Sequence, residues 1–205
     1  MLKIGGFSPF TTIDYPDHMA AVVFLQGCPW RCGYCHNREL LDAGAPGICS
    51  WKDIAAFLHG RRGLLDAVVF SGGEPTMQHG LLQAAREAKS MGFLVGLHTG
   101  GAFPDALPLL FPHLDWIGMD IKAHFSDYQR ITGVAGSGEA AEQSAALVMA
   151  SGIRRRFRTT VDPGLLSPSQ VSGLRRMVED EWGSEYDVQE VVSPPFSGEA
   201  LRLPP

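Results

Sequence analysis

Three of the four cysteines stand within eight residues, Cys28-Pro29-Trp30-Arg31-Cys32-Gly33-Tyr34-Cys35, at the spacing C-x3-C-x2-C. Thiols this close together, in a chain without the marks of secretion, are metal ligands or redox groups before they are disulfides. Two metal chemistries use such a set. A structural zinc ion needs a fourth ligand, for which His36 or Cys49 is at hand. A four-iron cluster held by three thiolates keeps one iron without a protein ligand, open to a substrate or cofactor. The spacing alone leaves both open. Cys49, beside Ile48, reads as a small half-buried hydrophobe.

The elements that must position these thiols follow from hydrophobic patterning. The cysteine loop comes directly after the apolar run Met19 to Leu25, the sign of a strand buried on both faces. Further strands are predicted at Ala67–Ser71, Phe93–His98, Trp116–Lys122, Arg155–Val161 and Tyr186–Val192. Between them helices are predicted over Trp51–His59, with Ser50 as N-cap and Asp53 at N3, and over Leu81–Met91, closed by Gly92. Three more are predicted over Leu107–Phe111, Glu139–Ala150 and from Pro168, behind the cap Ser167, to Trp182. Residues 1–18 read as an irregular lead-in with a short strand, and 193–205 as a Pro-rich surface tail.

Strand–helix alternation of this kind implies parallel strands, in an open doubly wound sheet or in a curved barrel of fewer than eight units. In both, polar residues at the C-terminal strand ends form the site. They are there: the cysteine loop, Gly72-Gly73-Glu74, His98-Thr99, Asp120 with Lys122, and Thr159-Thr160. Five successive strands delivering polar residues at one end is hard to explain by core packing.

A length of 205 residues and 45% hydrophobic content suit one domain, 1–205, with a real core. A formal net charge of −5 offers no basic surface for nucleic acid or an anionic membrane. There is no apolar run of about 18 residues and no secretory leader at Met1–Gly6, so the expected location is the cytoplasm. Arg154, Arg155, Arg156 and Arg158 run from a helix end into a strand, so half must point each way, and they read as ion-paired or solvated. Gly133–Gly138 is a loop without the Gly-Lys-Ser/Thr of a phosphate-binding loop. His59, His79, His113 and His124 are scattered.

The three-cysteine spacing with an aromatic before the last cysteine, followed after the next strand by Gly72-Gly73-Glu74-Pro75, closely resembles the radical SAM enzymes. Asp14-Tyr15-Pro16, Cys35-His36-Asn37 and Met119-Asp120-Ile121-Lys122 resemble the glycyl-radical-enzyme activating branch, nearest to the anaerobic ribonucleoside-triphosphate reductase activating proteins. The resemblance implies a partial (β/α)6 TIM-like barrel and a [4Fe–4S] cluster on Cys28, Cys32 and Cys35. S-adenosylmethionine would chelate the open iron, and its one-electron cleavage would give a 5′-deoxyadenosyl radical. That radical would take hydrogen from a glycine of a partner glycyl radical enzyme, with flavodoxin or ferredoxin as electron donor.

By motif match, Tyr34 would lie near the adenine, Gly72 and Gly73 would allow close approach, and Glu74 would accept from the methionyl ammonium. Asp120 and Lys122 would face the cofactor and the incoming glycine loop. Thr99 matches the Asp-Thr-Asn-Gly motif of the third of these strands, but His98 stands for the Asp and Gly100 for the Asn. The branch's Asp helps bind a monovalent cation beside the cofactor carboxylate, whereas His98 could pair with Asp120. Asp17 and His18 likewise replace a Gly and a basic residue. The alternatives are a radical SAM enzyme acting on a small molecule or peptide and, more remotely, a zinc-stabilised binding domain.

Overall fold

The computed structural model describes residues 2–191. Seven strands form one sheet in chain order: β1 (Ile4–Thr11), β2 (Ala20–Leu25), β3 (Ala67–Gly72), β4 (Leu94–Thr99), β5 (Trp116–Asp120), β6 (Arg154–Val161) and β7 (Tyr186–Glu190). The six predicted strands are β2 to β7, all parallel. The lead-in differs from expectation: it supplies an eight-residue strand, β1, antiparallel to β2. Its Gly5-Gly6 pair hid this, yet Ile4 and Phe7 are fully buried in the core. The expected 193–205 tail lies outside the described residues.

Helices α1 (Trp51–His59), α2 (Leu81–Ser90), α3 (Leu107–Leu110), α4 (Tyr128–Thr132), α5 (Ser137–Ala150) and α6 (Pro168–Arg175) occupy the connections. Ser50 and Asp53 form the predicted capping box on α1, and Ser167 with Gln170 forms another on α6. A π turn over Arg176–Glu181 extends α6 toward Trp182, which packs on Phe157. Helix α4 falls where no helix was predicted. Only five residues long, it carries Tyr128 and Ile131 into a small core of its own.

Each strand divides its side chains between two faces with period two. Ala21, Val23, Leu25, Val68, Phe70, Val95, Leu97, Ile117, Met119 and Phe157 join the large core beneath the helices. On the other face Ala20, Val22, Ala67, Val69 and Trp116 pack around Tyr15 from the β1–β2 connection. The sheet is curled, because its two edges meet. Arg154 on β6 pairs with Asp17 after β1, and Ile13, Asp14 and Pro16 share a cavity with Asp187, Val188 and Gln189 on β7. No ladder joins β7 to β1 among the described residues, so the barrel is partial and open at the side. Asp17 has φ 65°, a left-handed conformation that Asp tolerates and glycine adopts without cost.

Candidate active site

The cysteine loop leaves the end of β2 and is held from three directions. Beneath it, the buried Gln26 amide donates to the carbonyls of Glu39 and Asp42, while Gly27 N–H bonds Leu40 and Cys28 N–H bonds Leu41. From the side, Arg31 donates to the carbonyls of Cys28 and Trp30, and its own N–H bonds Thr132 at the end of α4. Above, the Trp30 ring is 3% exposed and meets Tyr128 edge-on, amid Ala123, Ile131, Ala141 and Leu166. Trp30 is thus the anchor that fixes the loop.

All three loop cysteines are free thiols, and they line one cavity of about 220 Å³. Tyr34, Gly72, Gly73, Glu74, His98, Thr99, Asp120 and Lys122 line the same cavity. The structure therefore gathers these predicted site residues and Thr160 at one place, while Thr159 turns away from the cavity, where its hydroxyl donates to the Ile121 carbonyl. Cys49 instead packs against the outer core. Among the described residues no three His, Cys, Asp or Glu side chains are grouped so as to hold one metal ion. Cys49 is therefore not placed as a fourth ligand, and three thiols lining a common cavity suit a cluster. Burial pushes the Cys28 thiol up to about 11 and raises Cys32 as well, with nearby Lys122 opposing both. Tyr34 Oη and His36 Nε2 are buried at the cavity without a hydrogen-bond partner, an arrangement that calls for a ligand.

The glycines answer first to the chain itself. Gly72 has φ 113°, and a Cβ there would lie 2.4 Å from Leu25 N; a Cβ on Gly73 would lie 2.3 Å from the Gly27 carbonyl oxygen. The turn after β3 is pressed onto the root of the cysteine loop, where Glu74 N–H bonds the Gly27 carbonyl. Glu74, 1% exposed, is a hub. Its Oε1 accepts from Thr76 N (3.1 Å), Thr76 Oγ1 (2.6 Å) and Thr99 Oγ1 (2.7 Å), and its Oε2 accepts from Gly100 N (2.9 Å). One acceptor position on Oε2 is left for a ligand. Gly100 is explained by Trp30: a Cβ would stand 2.6 Å from Trp30 Cζ3.

The opposite wall is cationic. Asp120 and Arg158 are register neighbours on β5 and β6, and Arg158 Nε donates to Asp120 Oδ1 at 2.8 Å. Lys122 Nζ reaches Asp120 Oδ2 at 3.3 Å and stands 5.8 Å from the Trp30 ring centre and 6.0 Å from that of Tyr34. Burial alone would raise the Asp120 carboxyl, but Arg158 and Lys122 outweigh it and hold the group well below the usual carboxylate range. Burial would likewise lower Lys122, but Asp120, Tyr34 and Cys32 raise it well above its ordinary value. His98 does not pair with Asp120. Its Nε2 lies 2.8 Å from the Asp14 carbonyl, and burial, with the Arg158 charge, lowers its basicity.

Arg158 belongs to the arginine run that the sequence presents as ion-paired or solvated. Three of the four are ion-paired, Arg154 with Asp17, Arg156 with Glu185 and Asp187, and Arg158 with Asp120. Arg155 alone turns to the other face near Met149 and Ser184, so the run divides three to one and not in half. Arg158, however, also lines the cavity, and the alternation that turns Asp120 inward would have predicted it. An anionic Glu74 beside β3 and β4 faces a Lys122–Asp120–Arg158 group beside β5 and β6. Such a cavity suits a ligand carrying both an ammonium and a carboxylate.

A second cavity, of about 380 Å³, lies on the inner face of the sheet toward its open side. It shares His98, Arg158 and Gln189 with the first. Ile13, at 87% exposure, stands at its edge.

Residues 22–167 match the model of the radical SAM superfamily, and the chain belongs to that superfamily. Its members use a [4Fe–4S] cluster and S-adenosylmethionine, and the thiols, the orphaned polar atoms and the two-sided charge of the cavity fit both groups. The chain is 30% identical over 187 residues to a putative glycyl-radical enzyme activating enzyme of Methanocaldococcus jannaschii, covering 86% of this chain and 75% of that one. It is 29% identical over 140 residues to the pyruvate formate-lyase-activating enzyme of Clostridium pasteurianum, 65% of this chain and 58% of that one. Among solved structures, Streptococcus suis SuiB bound to S-adenosylmethionine shares the fold at a TM-score of 0.66 and 16% identity, over 83% of this chain and 40% of SuiB.

Proposed function

We propose that the chain activates a glycyl radical enzyme, with anaerobic ribonucleoside-triphosphate reductase as the partner and a flavodoxin or ferredoxin as electron donor, all within a single domain and in the cytoplasm. The observation that carries this reading is the pair of adjoining cavities. One is lined by the three thiols and the polar strand ends; the other opens at the side of the barrel, where a loop of another protein could enter. The likeness to activating enzymes supports the same reading.

In this reading Cys28, Cys32 and Cys35 hold the cluster, and the bound pair of cluster and S-adenosylmethionine supplies the one-electron chemistry that yields a hydrogen-abstracting adenosyl radical. The chain's own work is placement. Glu74, kept in position by Thr76, Thr99 and Gly100, receives the methionyl ammonium, while Gly72 and Gly73 let the turn lie close. Tyr34 borders the adenosyl end. Lys122 and Asp120 would face the cofactor and the incoming glycine loop, and Trp30 and Tyr128 close the back of the site to water.

The test is anaerobic. The chain is loaded with cluster, reduced, and mixed with S-adenosylmethionine and the reductase. The expected products are 5′-deoxyadenosine and a persistent glycyl radical signal on the partner by electron paramagnetic resonance. Deoxyadenosine without a glycyl signal on any partner would turn the reading to a small-molecule or peptide substrate. A loaded cluster that gives no deoxyadenosine would sink it altogether.

A further inference from the structure

We propose that Lys122 and Arg158 serve as tethered cations of the cofactor site, and that no dissociable metal cation sits beside the cofactor's carboxylate. The inference rests on reading this cavity as the S-adenosylmethionine site. The monovalent cation implied by the resemblance does not fit the residues present, because hard cations are held by oxygen ligands, position 98 supplies a nitrogen, and Asp120 at the end of β5 already binds two side-chain cations.

Position 98 offers an imidazole, whose Nε2 is engaged by the Asp14 carbonyl at 2.8 Å. Asp120 Oδ1 accepts from Arg158, and Oδ2 from Lys122. Thr99 Oγ1 donates to Glu74 and accepts from Gly101 N–H at 2.9 Å. The Asp120 carbonyl receives the Tyr128 hydroxyl at 3.4 Å. A cation entering here would have to share Asp120 with a guanidinium and an ammonium that the carboxylate already holds.

The charge such an ion would bring is also present already. Two cations against one carboxylate leave the Lys122–Asp120–Arg158 group at net +1. Asp120 and Arg158 are register partners on β5 and β6, and Lys122 follows two residues after the end of β5, so the charge is placed by the fold. Lys122 and Arg158 act here as positioning residues for the cofactor's carboxylate.

The experiment measures S-adenosylmethionine binding to the cluster-loaded, full-length chain, by anaerobic equilibrium dialysis and by the perturbation of the reduced cluster's paramagnetic spectrum. It is run in N-methyl-D-glucamine chloride, sodium chloride and potassium chloride at equal ionic strength. Dissociation constants equal within about twofold are expected. Tightening by about fivefold or more in sodium or potassium overturns the inference while leaving the site reading intact. Absence of binding in every salt overturns both.

Arg158→Gln supplies the second arm. Loss of one charge-assisted contact is expected to weaken binding about ten- to hundredfold in every salt, with Arg158→Lys recovering most of it. A Gln variant that binds as tightly as the unaltered chain overturns the assignment of Arg158.

Discussion

Thr99→Val should unfold the site from within, and the structure sets the size of the effect. The Thr99 side chain is 4% exposed, so an isosteric Val brings neither cavity nor new exposure. It removes two bonds. The hydroxyl donates to Glu74 Oε1 at 2.7 Å and accepts from Gly101 N–H at 2.9 Å. A buried N–H left without a partner costs about 1–3 kcal/mol, and a bond to a charged group is worth about 1.5–3 kcal/mol. Together the loss is about 3–5 kcal/mol. In a chain of this size each kcal/mol moves the melting temperature by about 2–4 °C, so a fall of about 10 °C is expected. The assay is thermal unfolding of the cluster-free protein by circular dichroism, with Thr99→Ser as control. Ser keeps the hydroxyl and should recover most of the loss. A Val variant melting within about 3 °C of the original would refute the claim that Glu74 is held by this network. It would also return Thr99 to a role played only toward ligand.

Two further outcomes follow from the same geometry. Gly72→Ala places a Cβ 2.4 Å from Leu25 N at φ 113°, so strain of about 1–3 kcal/mol from the backbone angle adds to a clash that backbone alone must relieve. Its urea midpoint should fall clearly, and an unchanged midpoint would contradict the packing of this turn on the cysteine loop. Cys28, its thiol raised to about 11 by burial, should react with iodoacetamide in the cluster-free fold at a rate still rising beyond pH 10, whereas in urea the rate should level soon above the ordinary thiol value of about 8.5. The sign for stability follows: the folded chain keeps a proton that the unfolded chain loses, so Cys28's contribution is full below about pH 8.5 and falls as pH rises toward the folded value. A folded-state rate that levels at pH 9 would contradict this burial.

The parallel core was legible because its strands are nearly unbroken apolar runs, each closed by a polar cluster, and the same clusters became the cavity wall. β1 was legible only as a short strand in an irregular lead-in, because Gly5-Gly6 and Pro9 mask its length and its pairing with β2 is irregular in register. α4 was hidden for a related reason. At five residues it owes its existence to Tyr128 packing under Trp30, which is tertiary information. The glycines after β3 were legible as a close approach, but the approaching backbone is that of β2 and the loop after it. Arg158 was hidden inside an arginine run whose members look alike in composition and differ only in which face they take.

The departures at positions 17, 98 and 100 fit the fold as a connected set. Gly100 leaves room for Trp30, and Trp30 fixes the cysteine loop over α4. His98, on the inner face of β4, holds the β1–β2 connection through the Asp14 carbonyl, and Asp17 in the same connection ties to Arg154 on β6. That connection carries Tyr15 into the inner core and Ile13 to the rim of the second cavity. One segment is therefore latched both to the wall of the cofactor cavity and to the strand that bears Arg158. An aspartate at position 98 would place a second carboxylate near Asp120 and remove the imidazole from the Asp14 carbonyl. It would change the charge of the site and loosen the segment together. The histidine at position 98 thus serves the chain itself, holding the β1–β2 connection against the wall that carries Asp120 and Arg158.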